Sequence, residues 1–144
     1  MYRSILVPTD GSELADKAVQ TAIEMAKLCG ASLRAVTVTE PYPYSPLAEA
    51  QPINPQEFLD AEMRLAEQRL KTVREAAAAA GLACEGHSVE GALVWRGIVD
   101  EADRVDADLI VMASHGRSGI SALLLGSETQ KVLTHTNRAV LVVR

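Results

Sequence analysis

The chain has 144 residues, 48% of them apolar, and this length predicts one folded domain. A domain of this size buries roughly two thirds of the surface that it exposes when unfolded, so it can fold around its own core without metal or disulfide staples. The 14 basic and 19 acidic residues leave a net charge of -5. That charge argues against nonspecific binding to nucleic acid or to an anionic membrane, since both need a basic surface.

Cysteine usage and hydropathy bear on the compartment. Cys29 and Cys84 are too few for a disulfide framework, and the compartment rule predicts reduced thiols in or near the core of a cytosolic protein. No stretch approaches the roughly 20 apolar residues of a membrane span. The apolar run at the start of the sequence is too short for a signal peptide, because Asp10 follows at once. We therefore expect a cytoplasmic protein.

The apolar pattern alternates between two kinds of segment. Short runs of β-branched and aliphatic residues predict strands at 3–8, 32–39, 83–89, 108–113 and 139–143. Longer runs with apolar residues three and four apart predict helices at 13–29, 58–80, 93–105 and 127–136. The prolines of 41–55 predict a surface loop within the same domain. This order predicts one α/β domain over 1–144, with a parallel sheet and helices on both faces.

Local signals refine the helices. Ser12 or Asp10 can cap the helix at 13–29, and Ser127 with Gln130 fits a capping box at the last helix. The helix at 93–105 is expected to turn Val94, with Ile98, Val99 and Ala102, toward the core. The acidic residues around it are expected to be solvated helix-face and cap residues: Asp100, Glu101, Asp103, Asp106 and Asp108.

The loops after the first and fourth strands are the richest in hydroxyls, glycine and charge. In an open parallel sheet, ligands bind outside the carboxyl ends of the strands, where the winding reverses. The loop after the fourth strand holds Gly116, Arg117 and Gly119, and the last helix begins soon after it. Glycines permit close backbone approach, and free N–H groups there attract a phosphate. An ordinary turn followed by an ordinary cap explains the same residues equally well.

The common nucleotide and catalytic motifs are absent from the sequence. No Gly-x-x-x-x-Gly-Lys-Ser/Thr occurs, which excludes a P-loop NTPase, and no Gly-x-Gly-x-x-Gly follows the first strand, which argues against a dinucleotide-binding domain. His115 invites a catalytic interpretation, but no hydroxyl or thiol nucleophile is visibly paired with a base and an orienting carboxylate. We therefore expect no enzyme.

Four segments together resemble the universal stress protein family over essentially the whole chain. They are ILVPTDGS at 5–12, ADLIVMASHGR at 107–117, LLLGS at 123–127 and AVLVV at 139–143. The resemblance implies a Rossmann-like open sheet of five parallel strands in the order 3-2-1-4-5. ATP-binding members carry Gly, two residues, Gly, nine residues and then Gly-Ser or Gly-Thr. Here Gly116 and Gly126-Ser127 match that spacing, and Ala113 stands in place of the first glycine.

The resemblance also implies an ATP site, with Mg²⁺ reached through the phosphates. Asp10 would lie near the ribose or a phosphate-bound metal, Val38 would meet the adenine through its backbone, and Gly116 and Arg117 would hold phosphates. The full set lies at the ends of the first, second and fourth strands and at the start of the last helix: Pro8, Thr9, Asp10, Val38, Met112, Ala113, His115, Gly116, Arg117, Gly126, Ser127 and Glu128.

The function implied by the resemblance is that of a non-enzymatic, ATP-binding regulator of the stress response that acts on a protein partner. Two alternatives stay open: a weak ATPase, and an interaction module without nucleotide, which Ala113 favours. The fifth strand would form an apolar sheet edge, prone to aggregate unless a second copy pairs with it across a two-fold axis. We therefore expect a homodimer through the residues of that strand: Ala139, Val140, Leu141, Val142 and Val143.

Overall fold

The computed structural model describes residues 1–44, 54–117 and 124–144. In these ranges five strands and four helices alternate along the chain: β1 (Ser4–Pro8), α1 (Glu13–Cys29), β2 (Ser32–Thr39), α2 (Pro55–Ala79), β3 (Cys84–Glu90), α3 (Val94–Arg104), β4 (Leu109–Ala113), α4 (Ser127–His135) and β5 (Ala139–Val143). Each element lies within a few residues of its expected position. Residues 45–53 of the proline-rich loop, and Gly119, lie outside the described residues.

The five strands form one parallel sheet in the order β3-β2-β1-β4-β5. Ile5 of β1 pairs with Leu33 of β2 on one side and with Leu109 of β4 on the other. The chain winds outward from β1 to β3 and then crosses to β4, so the winding reverses between β1 and β4. The expected Rossmann-like α/β fold is therefore confirmed. In open parallel sheets, ligands bind outside the carboxyl ends of the strands where the winding reverses.

Two cores form, one on each face of the sheet. α1 and α2 pack on one face and α3 and α4 on the other; we call these the first and second cores. Successive residues of a strand point to opposite faces. β4 consequently supplies Leu109 and Val111 to the first core and Ile110 and Met112 to the second. All four are buried, which explains why β4 shows no alternation of apolar and polar residues.

α2 begins at Pro55, three residues before the expected Phe58. Asn54 is its N-cap and accepts the backbone N–H of Gln56 at 2.9 Å. A proline in the first helical position sacrifices no hydrogen bond, because that N–H has no partner within the helix. The proline that helped to predict a loop is therefore part of the start of a helix.

α4 lacks the expected capping box. Its N-cap is Gly126 rather than Ser127, and no side chain caps it. The Gln130 side chain donates to the carbonyl of Leu125 at 2.8 Å, so it does not reach back to the N-cap. The N–H of Gly126 donates instead to the carbonyl of Ser114 at 2.7 Å. That bond ties the entry of α4 to the end of β4 and shifts the cap by one residue.

α3 departs from expectation at two positions. Val94 is the first residue of the helix and is 42% exposed, so it does not point inward as expected. Glu101 is only 3% exposed, so the expectation that it is solvated is also wrong. It lies three residues after the buried Ile98, which places it on the inward stripe of the helix.

The buried Glu101 carboxylate is bound by an arginine and lies beside a histidine. Arg104 donates to its two oxygens at 2.7 and 2.8 Å, and Nδ1 of His87 lies 3.2 Å from Oε1. Hydrogen bonding to Arg104 lowers the pKa of Glu101 below its ordinary value. Its burial is thus compensated by charge and hydrogen bonds.

The remaining fold predictions concern thiols and membranes. Cys29 and Cys84 are partly buried and pack against the first core, as expected. Burial raises the pKa of Cys84 to about 11. Across the described ranges, no helix has the length and apolarity needed to cross a membrane.

Candidate functional site

The loops that follow β1 and β4 meet at the point where the winding reverses. Asp10 joins them: its Oδ1 accepts the backbone N–H of Ser12 at 2.9 Å, and its Oδ2 accepts the backbone N–H of Arg117 at 3.0 Å. Ser12, not Asp10, is the N-cap of α1 and accepts the N–H of Ala15. Asp10 is therefore free of the capping role and holds the β4–α4 loop against the start of α1.

Gly116 makes room for this link. A Cβ built at Gly116 would lie 2.8 Å from Oδ2 of Asp10, a separation that real side chains essentially never show. The neighbouring Arg117 N–H could not then reach the same oxygen without a shift. The second glycine of the motif is thus explained by packing against Asp10, before any ligand is considered.

Gly126 is required at the other end of the loop. A Cβ there would lie 3.0 Å from Cα of His115 and 3.2 Å from the carbonyl oxygen of Ser114. The N–H of Ser114 donates in turn to the carbonyl of Val143 at 2.7 Å. Close backbone approach therefore fixes both ends of the loop that follows β4, and a side chain at position 126 would crowd that backbone.

Ala113 and Met112 face opposite sides of the sheet. The Ala113 side chain packs against the first core, beneath α1, and its carbonyl accepts the hydroxyl of Thr129 at 3.0 Å. Met112 belongs to the second core. The methyl group that replaces the first glycine of the motif is thus accommodated by apolar packing.

Three other predicted residues have local partners. Val38 packs at the end of β2 against the second core. Oγ of Ser114 and Nδ1 of His115 are 3.2 Å apart.

The Glu128 carboxylate accepts the backbone N–H of Trp95 at 2.7 Å, so it caps the start of α3 rather than facing the β4–α4 loop. Pro8 ends β1, and Ser127 is the first residue of α4.

A cavity of about 280 Å³ opens beside Asp10, between α1 and α2. Thr9, Asp10 and Arg117 of the predicted set line it. The rest of its lining was not anticipated from the sequence: Gly11, Asp16, Leu65, Gln68, Arg69 and Thr72. The four α2 positions recur three and four residues apart, as one face of a helix requires. That spacing was readable, but nothing in the sequence shows which loop this face meets.

The charged groups of the cavity are carboxylates and guanidiniums. Asp10 and Asp16 lie among them with Arg69 and Arg117. Burial, and next the nearby charge of Arg117, lower the pKa of Arg69 below its ordinary value. Within the described ranges, no three His, Cys, Asp or Glu side chains lie close enough together to hold a metal ion.

Comparison with known proteins agrees with this architecture. The model of the universal stress protein family matches residues 1–144. The universal stress protein MJ0531 of Methanocaldococcus jannaschii is 34% identical over 145 residues, which cover all of this chain and 83% of that protein.

Two solved structures share the fold. Universal stress protein UspA from Lactobacillus plantarum superposes with a TM-score of 0.85 at 28% identity, covering 99% of this chain and 98% of that one. A universal stress protein solved in complex with cAMP gives a TM-score of 0.76 at 30% identity, covering 99% and 97%. With sequence, topology and relatives in agreement, the chain belongs to the universal stress protein family.

Proposed function

We propose that the protein is a nucleotide-binding regulator of the stress response and that its nucleotide is ATP. The observation that carries the proposal is the bond from the Arg117 N–H to Asp10 at the carboxyl ends of β1 and β4. Parallel α/β sheets bind nucleotides at this position. A relative at 30% identity with the same fold was solved with a nucleotide, cAMP.

Phosphate binding is assigned to the β4–α4 loop and the start of α4. The guanidinium of Arg117 makes no ion pair within the described chain, so its charge is available. α4 begins at Ser127, and within the described chain no side chain caps it at Gly126, so its first N–H groups and its positive dipole end are open to an anion. These groups favour a phosphorylated ligand over a neutral one.

Mg²⁺ would bind through the phosphates of the nucleotide. Each oxygen of Asp10 already accepts one backbone N–H, and one lone pair on each remains for a phosphate-bound ion or for the ribose. Bound Mg²⁺ would offset phosphate charge. The adenine is assigned to the backbone at the end of β2, beside Val38.

The proposed role is regulatory rather than catalytic, with a protein partner that senses nucleotide occupancy. Oγ of Ser114 is buried beside His115, and neither makes a hydrogen bond to a carboxylate in the described chain. A hydroxyl nucleophile needs a base that a third group orients.

We further propose a homodimer through β5. β5 pairs with β4 on one side, and no strand of the described chain covers its other side. Leu141 is 36% exposed at this edge.

Light scattering at micromolar concentration should give twice the chain mass of 15.4 kDa. Leu141→Lys should give the monomer, while Leu28→Lys, at a leucine 77% exposed on α1, should leave the dimer intact. A wild-type monomer would contradict the proposal.

The nucleotide proposal is tested by calorimetry on Asp10→Asn. Loss of the charged acceptor that holds the β4–α4 loop should weaken ATP binding about ten- to hundredfold, the usual worth of a hydrogen bond to a charged group. Asp100→Asn is the matched control, since that carboxylate is 70% exposed and, among the described residues, pairs only with Arg96 on the same helix. Equal ATP affinity in the two variants would refute the assigned role of Asp10.

A further inference from the structure

Arg69 carries a buried hydrogen-bond donor, and the proposed function has assigned this residue no role. It lies on α2, and its Nη1 donates to the Thr37 hydroxyl at 3.4 Å. Its Nε is buried, and no atom of the described chain accepts its proton. A buried donor without an acceptor is costly, so Arg69 would gain a hydrogen bond if an anion in the cavity drew its guanidinium outward.

The position of Arg69 is built into the fold. Its side chain crosses the start of α1, where a Cβ at Gly11 would lie 3.3 Å from Cγ of Arg69. Gly11 has φ of +76°, a conformation that favours glycine. Arg69 therefore reaches the same cavity as Arg117, from the opposite wall.

The two guanidiniums, of Arg69 and Arg117, lie near carboxylates, and those of Asp10, Glu62 and Glu40 act on the charge of Arg69. Neither makes an ion pair with any carboxylate within 4.0 Å in the described ranges. Each carboxylate oxygen of Asp10 already accepts one backbone N–H, and the Glu62 carboxylate accepts the N–H of Glu40 at 3.0 Å. Asp16, the other carboxylate of the lining, is exposed to water on the surface of α1. Two guanidiniums that line one cavity without a direct ion pair are a favourable place for an anion.

We propose that Arg69 and Arg117 together hold a phosphate group in this cavity, which makes Arg69 a phosphate-binding residue on α2. Guanidinium groups present paired N–H donors in a fixed fork that matches phosphate oxygens. The phosphate is either free inorganic phosphate or the terminal phosphate of the nucleotide; in the second case the inference rests on the proposed function. The cavity volume of about 280 Å³ suits a phosphate group and is smaller than most pockets for whole ligands.

The test compares Arg69→Gln with Arg64→Gln. Arg64 lies on the same helix, is exposed and makes no hydrogen bond or ion pair in the described chain, so it is a matched control. Thermal unfolding in sodium phosphate is compared with unfolding in sodium chloride of equal ionic strength, and ATP, AMP and adenosine are titrated by calorimetry. Arg69→Lys is added as a variant that keeps the stem and the charge while removing the Nε–H.

If the phosphate is that of ATP, Arg69→Gln should weaken ATP binding about ten- to hundredfold and leave adenosine binding unchanged, with Arg69→Lys in between. If it is free phosphate, the wild type and Arg64→Gln should melt higher in phosphate, and Arg69→Gln should lose that gain. Phosphate stabilisation without ATP binding would uphold the site and refute the proposed function. ATP binding and phosphate stabilisation that are both indifferent to Arg69, or an equal loss of adenosine binding, would overturn the site.

Discussion

The β4–α4 loop is predicted to tolerate no side chain at position 126, and Gly126→Ala tests this directly. Gly126 has φ of -61° and ψ of 152°, which alanine adopts without strain. The cost is therefore steric: the added Cβ meets backbone atoms of Ser114 and His115 at 3.0–3.2 Å, and backbone cannot rotate away. Overpacking of this kind costs about 1–3 kcal/mol in free energy of unfolding.

Gly91→Ala is the control for the general effect of replacing glycine by alanine. Its φ is also ordinary, and its added Cβ meets nothing closer than 3.8 Å. Both substitutions restrict the unfolded chain equally, a gain of about 0.4–1 kcal/mol that cancels in the comparison. The difference between the two variants thus reports the contact at position 126 together with the poorer N-cap that alanine makes for α4.

Thermal unfolding followed by circular dichroism supplies the measurement. In a chain of this size, 1 kcal/mol shifts Tm by about 2–4 °C. Gly126→Ala should therefore melt about 2–12 °C below Gly91→Ala. Equal melting temperatures would show that the backbone of the loop is not held against β4, and the steric explanation of the motif glycine would fail.

Three further predictions concern stability and affinity. Ala113→Gly should lower the free energy of unfolding by about 0.5–1 kcal/mol, because a packed strand methyl is lost, yet leave ATP affinity unchanged by calorimetry within about threefold. Arg104 lowers the pKa of Glu101, so the stabilisation from Glu101 should be complete above its unfolded pKa of about 4.3 and should be lost as pH falls through the lower folded pKa. Urea unfolding at a series of pH values measures this, and Glu101→Gln should lack this part of the pH dependence. Ile110→Ala, at a fully buried position, should cost about 2–5 kcal/mol in urea unfolding.

The helices and strands could be predicted because their signals are local. The unbroken apolar run of Leu109–Ala113 predicted a strand buried on both faces, and β4 is central in the sheet. The equally apolar β5 is an edge strand whose exposure alternates from Ala139 onward. Aliphatic content reports strand propensity, whereas position in the sheet depends on neighbours that a local run does not specify. The order of strands came from the family resemblance.

The sequence predicted the loops of the candidate site but not the α2 residues that line its cavity. Asp10 and Gly116 follow strands, and the topology brings strand ends together. Arg69 stands between Arg64 and Arg74 on α2, and no local feature distinguishes the three. Only the packing of α2 over the start of α1 places Arg69 beside Asp10.

Glu101 shows the same limit. Helical spacing from Ile98 places it inward, but its charge argued for solvent, and this expectation was wrong. One of its compensating partners, His87, comes from β3 and is not evident from the local pattern.

Calorimetric titration of the wild-type protein, first shown to be free of co-purified nucleotide, tests the central claim most directly. We expect a dissociation constant for ATP with Mg²⁺ in the micromolar range, with weaker binding of ADP and AMP because fewer phosphates reach Arg117 and the start of α4. No heat at millimolar ATP would contradict the claim and would leave a universal stress protein domain that works without this nucleotide.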